Sequence, residues 1–199
     1  MAEPITIDLN SDMGESYGRW NLGNDADLME VITSANIACG WHGGDPAVMR
    51  TTVDMAVERG VGIGAHVGLP DLLGFGRRRM QVTPDEIYDY CMYQSGALRA
   101  FAEASGGRLQ HVKPHGAFYV MCAADPELAS ALIQAVKALG DGVVLFGMGE
   151  IEPELAEQAG VGYIREGYVD LNYNNQGNLV LERNKGAWDP DEVARRAMR

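Results

Sequence analysis

Six short runs of apolar residues recur along the chain at 5–9, 34–39, 61–67, 108–113, 143–146 and roughly 162–169. Each has the length and apolar bias of a strand buried on both faces of a parallel sheet. Between the runs lie stretches of helical periodicity with explicit start signals. Asp45-Pro46, Asp125-Pro126 and Asp189-Pro190 each set an N-cap before a proline at the first helical position. Thr83-Pro84-Asp85-Glu86 adds a capping box to the same proline device. The stretch 46–59 carries Val48, Met49, Val53, Met55, Ala56 and Val57 and then meets Gly60, a residue suited to a left-handed stop. The stretch 126–139 meets Gly140 in the same way, and 150–158 reads as a further short helix. The alternation predicts one α/β domain over residues 1–199, with a parallel sheet.

Parallel βα units either close into a barrel or lie open as a doubly wound sheet. Here chemically unusual residues follow almost every strand at its carboxyl end. That is the pattern of a barrel whose loops gather at one mouth; an open sheet would concentrate them at one switch point. A parallel (β/α) barrel is therefore the expected fold.

Composition narrows the partners. Sixteen Lys and Arg against 28 Asp and Glu give a formal charge of −12, which disfavours a nucleic-acid backbone. No apolar run reaches the roughly 20 residues that span a membrane, and the first residues lack the basic and apolar regions of a signal peptide. The three cysteines are widely spaced without a CxxC, so neither a disulfide framework nor a structural zinc site is expected. The default location is the cytoplasm.

The candidate chemistry lies where the strands end. The first segment is Asp8-Leu9-Asn10-Ser11-Asp12-Met13-Gly14-Glu15. Strand alternation would put Asp8, Asn10 and Asp12 on one side. A calcium loop is excluded, because the glycine comes one place late and Arg19 stands where the bidentate Glu belongs. A turn rich in Asx hydrogen bonds is the structural alternative, but carboxylates in a buried strand are costly unless paired, metal-bound or catalytic.

The second segment is Asn36-Ile37-Ala38-Cys39-Gly40-Trp41-His42-Gly43-Gly44-Asp45-Pro46. Asp45 is explained as an N-cap, whereas His42 sits in a glycine loop that lets backbone approach a ligand. Cys39 reads more simply as a small buried hydrophobe than as a nucleophile. The third segment places His66 at a strand end, then Pro70-Asp71 and Gly74-Phe75-Gly76-Arg77-Arg78-Arg79. Arg77 could fork onto a carboxylate or phosphate, or pair with surface acids. The fourth is His111-Val112-Lys113-Pro114-His115-Gly116-Ala117, where a lysine at the mouth is expensive unless it holds an anion or works as an acid.

All four histidines of the chain thus end or follow strands, which points to an enzyme site. The chain contains no GxxxxGK[ST], GxSxG or HExxH. Gly147-Met148-Gly149 follows a strand, but Glu152 stands where a dinucleotide fingerprint needs its third glycine.

In order and spacing these four segments resemble the LamB/YcsF lactam-utilisation family, whose members are the A subunits of bacterial 5-oxoprolinase. The resemblance implies a seven-stranded barrel similar to polysaccharide deacetylases. It also implies ATP-dependent opening of 5-oxoproline, a small anionic lactam, to glutamate, together with separate B and C subunits. ATP would then be a co-substrate bound with those partners. Many members carry Ala-Asp-Arg where this chain reads Arg165-Glu166-Gly167-Tyr168-Val169-Asp170-Leu171. Members usually continue past the point corresponding to Arg199 through one more strand, so the last β/α unit is expected to be missing from the 1–199 domain. Either another chain or segment supplies it, or the sequence is a shortened form of a longer protein; a homo-oligomer is a further expected assembly.

For the reaction the resemblance implies, Asp12 or Glu15 is the expected base, with His42 and Lys113 in the catalytic group. Asp8, Asn10, Asn36, His66, Arg77 and His115 are expected to bind substrate. Asp12, His42 and His66 would hold a divalent metal if the chain were instead a deacetylase-like amide hydrolase. A third reading is a non-catalytic subunit that only presents the substrate.

Overall fold

The computed structural model describes residues 6–175, 179–180 and 188–198, in two units, Met1–Arg165 and Glu166–Arg199. In the first unit, β1 (Asn10–Met13), β2 (Ser34–Ala38), β3 (Gly62–Val67), β4 (Leu109–Pro114), β5 (Val144–Gly147) and β6 (Tyr163–Arg165) pair in chain order, each parallel to the next. They form a curled half-barrel with helices on its outside, as the βα alternation predicts. The helices are α1 (Asp25–Leu28), α2 (Pro46–Arg59), α3 (Pro84–Ala104), α4 (Gly116–Ala124), α5 (Pro126–Ala138) and α6 (Glu152–Ala159).

The start and stop signals act as expected. The Asp45 carboxylate accepts from the amides of Ala47 and Val48, Asp125 from those of Glu127 and Leu128, and Thr83 and Glu86 complete the capping box of α3. Gly60 closes α2 at φ 68°, a conformation that a side chain would strain.

The two faces of the sheet differ in chemistry. Ala35, Ile37, Ile63, Ala65, Val67, Leu109, Val112 and Leu145 join the apolar core with residues of α2, α3 and α5. The alternate positions carry Asn10, Asp12, Ser34, Asn36, His66, His111 and Lys113; Ser34 donates to Asp8, and the others pair with one another across the strands. The strands are thus apolar outside and polar inside rather than apolar on both faces.

That distinction displaces the first strand, expected at 5–9 and found at Asn10–Met13. Its polar residues suit a polar interior, while Ile7 and Leu9 are left 90% and 51% exposed. The sixth strand, expected over 162–169, stops at Arg165, and the Tyr168 amide donates to the Tyr173 hydroxyl (2.7 Å) rather than to a ladder. The second unit contains β7 (Asn172–Tyr173) antiparallel to β8 (Leu179–Val180), a pairing the apolar pattern did not signal. It also contains α7 (Pro190–Ala197), capped by Asp189 as expected. Arg196 stacks over Trp188 with its Cζ 4.3 Å from the ring centroid, and donates to Asn172 Oδ1.

Between β3 and α3 a 3-10 turn, Leu72–Gly74, is organised by Asp71. This buried carboxylate accepts from the amides of Gly74 and Arg78 and from the Arg78 guanidinium. The Arg78 side chain above all holds the Asp71 pKa below the usual carboxylate range. A carboxylate with a depressed folded pKa stabilises the fold above its unfolded pKa and stops doing so as pH falls through the folded value. Asp71→Asn is therefore expected to destabilise the protein at neutral pH. The deficit relative to wild type should shrink progressively below about pH 4 in denaturant titrations across a pH series. In the core, Leu98 of α3 and Leu132 of α5 are fully buried. Leu98→Ala is expected to cost about 2–5 kcal/mol, read as a lower urea midpoint at unchanged slope.

Candidate active site

The carboxyl ends of β1 to β4 bring one constellation together. Asp12 comes from β1, Glu15 from the turn after it, Asn36 from β2, His42 from the β2–α2 loop, His66 from β3 and Lys113 from β4; His115 is the N-cap of α4. In a (β/α) barrel this end is where the loops converge on a site.

One half of the constellation is a lattice of amides and charges. The Asn36 amide nitrogen donates to Asn10 Oδ1 (2.7 Å) and Asp12 Oδ1 (3.0 Å). Its carbonyl accepts from His111 Nε2 (2.7 Å). Lys113 Nζ donates to Asn10 Oδ1 and lies 3.1 Å from Asp12 Oδ1. The His111 ring stacks on Phe146 with centroids 4.0 Å apart. Burial, followed by the nearby Lys113 charge, pushes its pKa down to about 3, so the ring is neutral.

The other half is a histidine cluster. His66 Nε2 lies 3.3 Å from Asp12 Oδ2 and joins the two halves. His115 Nδ1 is 2.9 Å from His66 Nε2, and His42 stacks on His115 with centroids 3.7 Å apart and planes 3° from parallel. Glu15 Oε1 stands 3.3 Å from His42 Nε2 and 3.6 Å from His115 Nδ1. Glycine lets the loops close this tightly: a Cβ at Gly68 would lie 2.5 Å from His42 Nδ1, and one at Gly76 would lie 2.7 Å from His115 Cδ2.

Charge is distributed unevenly over the two halves. Burial opposes ionisation of Asp12, but His66 and Lys113 outweigh it and hold the carboxyl well below its usual range. Asp12 nonetheless opens to the mouth, with 37% of its side chain accessible. Burial and then the Asp12 charge push Glu15 up. Burial also pushes His42 and His115 well below the ordinary imidazole value. His66 moves the other way, since Asp12 more than offsets its burial.

Of the residues singled out from the sequence, Asn10, Asp12, Glu15, Asn36, His42, His66, Lys113 and His115 share this constellation. Asp8 does not. It is exposed, at the amino end of β2, and accepts from the Thr33 and Ser34 hydroxyls (2.7 Å each), because the strand begins at Asn10, five residues later than expected. Arg77 is exposed, its Cζ 5.2 Å from the Phe75 ring centroid and near enough to act on Glu15 and His42, whereas Arg78 is engaged by Asp71. Cys39 is buried, donates to the Ile37 carbonyl, and has its thiol pKa raised by burial. Two contributors carried weak signals. His111 is in phase with Lys113 on one face of β4, and Phe75 contributes its backbone carbonyl, 2.8 Å from His115 Nε2, which no side-chain motif announces.

The model of the LamB/YcsF family matches residues 7–199. The A subunit of a Bacillus cereus 5-oxoprolinase is 47% identical over 189 residues, spanning 94% of this chain and 75% of that protein. That of Bacillus subtilis strain 168 is 52% identical over 175 residues, spanning 87% and 68%. The crystal structure of a lactam utilization protein from Thermus thermophilus shares the fold with a TM-score of 0.89 at 44% identity, covering 98% of this chain and 80% of that one. This chain belongs to the LamB/YcsF family.

Proposed function

We propose that this chain performs the ring opening of 5-oxoproline to glutamate as the A component of an ATP-dependent hydrolase whose B and C subunits are separate chains. The names of its relatives support the substrate. The observation that carries the reading is Asp12: an ionised carboxylate, clamped by Lys113 and Asn36, open to the mouth and 3.3 Å from His66.

A lactam is a resonance-stabilised amide and resists water. Transfer of the ATP γ-phosphoryl group to the lactam oxygen gives a phosphorylated imidate and ADP, with the nucleotide held by the partner subunits. Water then adds to the activated carbon. Asp12 takes the proton of that water, and His66 beside it passes a proton to the ring nitrogen as the C–N bond breaks. A second water releases phosphate and leaves glutamate. Lys113 keeps Asp12 ionised, Asn10 and Asn36 fix its orientation, and Arg77 at the rim receives the substrate carboxylate.

The histidine cluster favours a second reading, hydrolysis of an amide by this chain with a divalent ion and without ATP. Turnover of 5-oxoproline measured with and without ATP and the B and C subunits separates the two. The first reading expects turnover only in the complete mixture, and its absence there rejects that reading. Asp12→Asn, which keeps size and loses charge, is expected to lower turnover by about 10²–10⁴-fold while retaining substrate binding. Unchanged turnover would make the chain a scaffold. Arg77→Ala is expected to raise KM with little change in kcat, the mark of lost substrate binding in steady-state kinetics.

A further inference from the structure

His66 and His115 meet through ring nitrogens 2.9 Å apart, and the other nitrogen of each ring is already committed. His66 Nδ1 lies 3.0 Å from the Lys113 carbonyl oxygen, and His115 Nε2 lies 2.8 Å from that of Phe75. A carbonyl only accepts, so these outer nitrogens carry the ring protons. In the neutral rings both facing nitrogens are then bare, and two lone pairs at this distance repel. Further electron-rich atoms crowd the same point. Glu15 Oε1 is 3.3 Å from His42 Nε2, 3.6 Å from His115 Nδ1 and 4.0 Å from His66 Nε2. Glu15 Oε1 and both ring nitrogens of His42 are buried without a hydrogen bond among the described residues. Buried acceptors turned on one another require positive charge between them.

We propose that Glu15, His42, His66 and His115 bind one divalent transition-metal ion. Their ligand atoms lie within 4.8 Å of one another. The individual separations bracket the roughly 3.4 Å expected between ligands around a tetrahedral ion with bonds of about 2.0–2.1 Å. Three imidazoles and one carboxylate suit Zn²⁺ and its first-row neighbours, whereas Mg²⁺ and Ca²⁺ favour oxygen ligands. The Lys113 and Phe75 carbonyls are the outer acceptors that fix the tautomer and aim of two ligands. This set replaces Asp12 of the sequence-derived trio with Glu15 and adds His115. Asp12 is tied through Oδ1 to Lys113 and Asn36 and reaches only His66 of the four with Oδ2 (3.3 Å), which sets it at the edge of the four-ligand group. With four protein ligands a tetrahedral ion has no open position, so it would brace the histidine cluster beside that carboxylate rather than polarise a substrate. The site stands on its own geometry; a bound ion would occupy His66 Nε2, so the proton reaching the ring nitrogen in the ATP-coupled reading would then come from water rather than from His66.

Metal binding tests it without reference to turnover. The full chain, stripped with chelator, is dialysed against Zn²⁺, Co²⁺ or Mg²⁺ and analysed for metal. The expected result is about one Zn²⁺ or Co²⁺ per chain, visible absorption from the Co²⁺ form, a rise in Tm with Zn²⁺, and no retained Mg²⁺. Glu15→Gln and His115→Gln should each weaken binding by more than about 100-fold, beyond what loss of an outer-shell partner costs. Circular dichroism establishes that each is folded; if His115→Gln is not, the near-isosteric Glu15→Gln decides. Absence of a stoichiometric ion in the wild type overturns the proposal and leaves a proton shared between His66 and His115. Retention of Mg²⁺ in preference to Zn²⁺ overturns it, as does equal binding by wild type and Glu15→Gln.

Discussion

Asn36 is completely buried at the centre of β2 and ties three strands together through its side chain. A buried primary amide with unanswered polar atoms would cost more than most single interactions contribute. Here both ends are answered: its carbonyl by His111, its amide by Asn10 and Asp12. The arrangement demands more of its neighbours. His111 can reach Asn36 only because Gly64 has no side chain, since a Cβ there would lie 1.8 Å from His111 Nε2. Lys113, two residues further along β4, then falls over Asn10 and Asp12, and the ionised carboxylate that results draws His66 into line. The site is an outgrowth of how the sheet fills its own interior.

The division of the strands into an apolar outside and a polar inside explains how a chain of this size can hold so many ionisable groups out of water. The apolar face meets α2, α3 and α5 in one continuous core. The inner face places charges and amides where each neutralises or bonds another, so most of the desolvation penalty is offset locally. Around His42 and Glu15 this compensation stops, with buried polar atoms left facing one another.

Much of this was legible in the residues, for identifiable reasons. Helix caps rely on chemistry local to a few positions, and Asp45, Thr83, Asp125 and Asp189 cap where the sequence placed them. The central strands carry enough outward apolar residues to stand out. The first strand did not, because half of Asn10–Met13 faces a polar interior that hydropathy cannot anticipate. Asp8 was misplaced with it. The clustering of strand-end histidines was readable, but which carboxylate stands among them was not. Asp12 and Glu15 are three residues apart, and only the turn at Gly14 (φ 65°) decides that Glu15 points to His42 and His115 while Asp12 turns to Lys113. His111 was visible as a histidine, yet its partner is 75 residues away in sequence.

That separation bears on how the protein acquires its site. His66 meets the carbonyl of a residue 47 positions away, and Lys113 bonds to Asn10 across 103. Parallel pairing of this kind closes long loops before any contact repays the entropy, so such topologies fold slowly. During synthesis the amino-terminal strands emerge first, but Asp12 and Asn36 have no cationic or imidazole partners from β4 until residues 111–113 are available. An emerging chain therefore carries its most polar strand only partly satisfied, by Asn36 and His66, until β4 is made, and the interval before β4 docks is the one in which it is most exposed to mispairing.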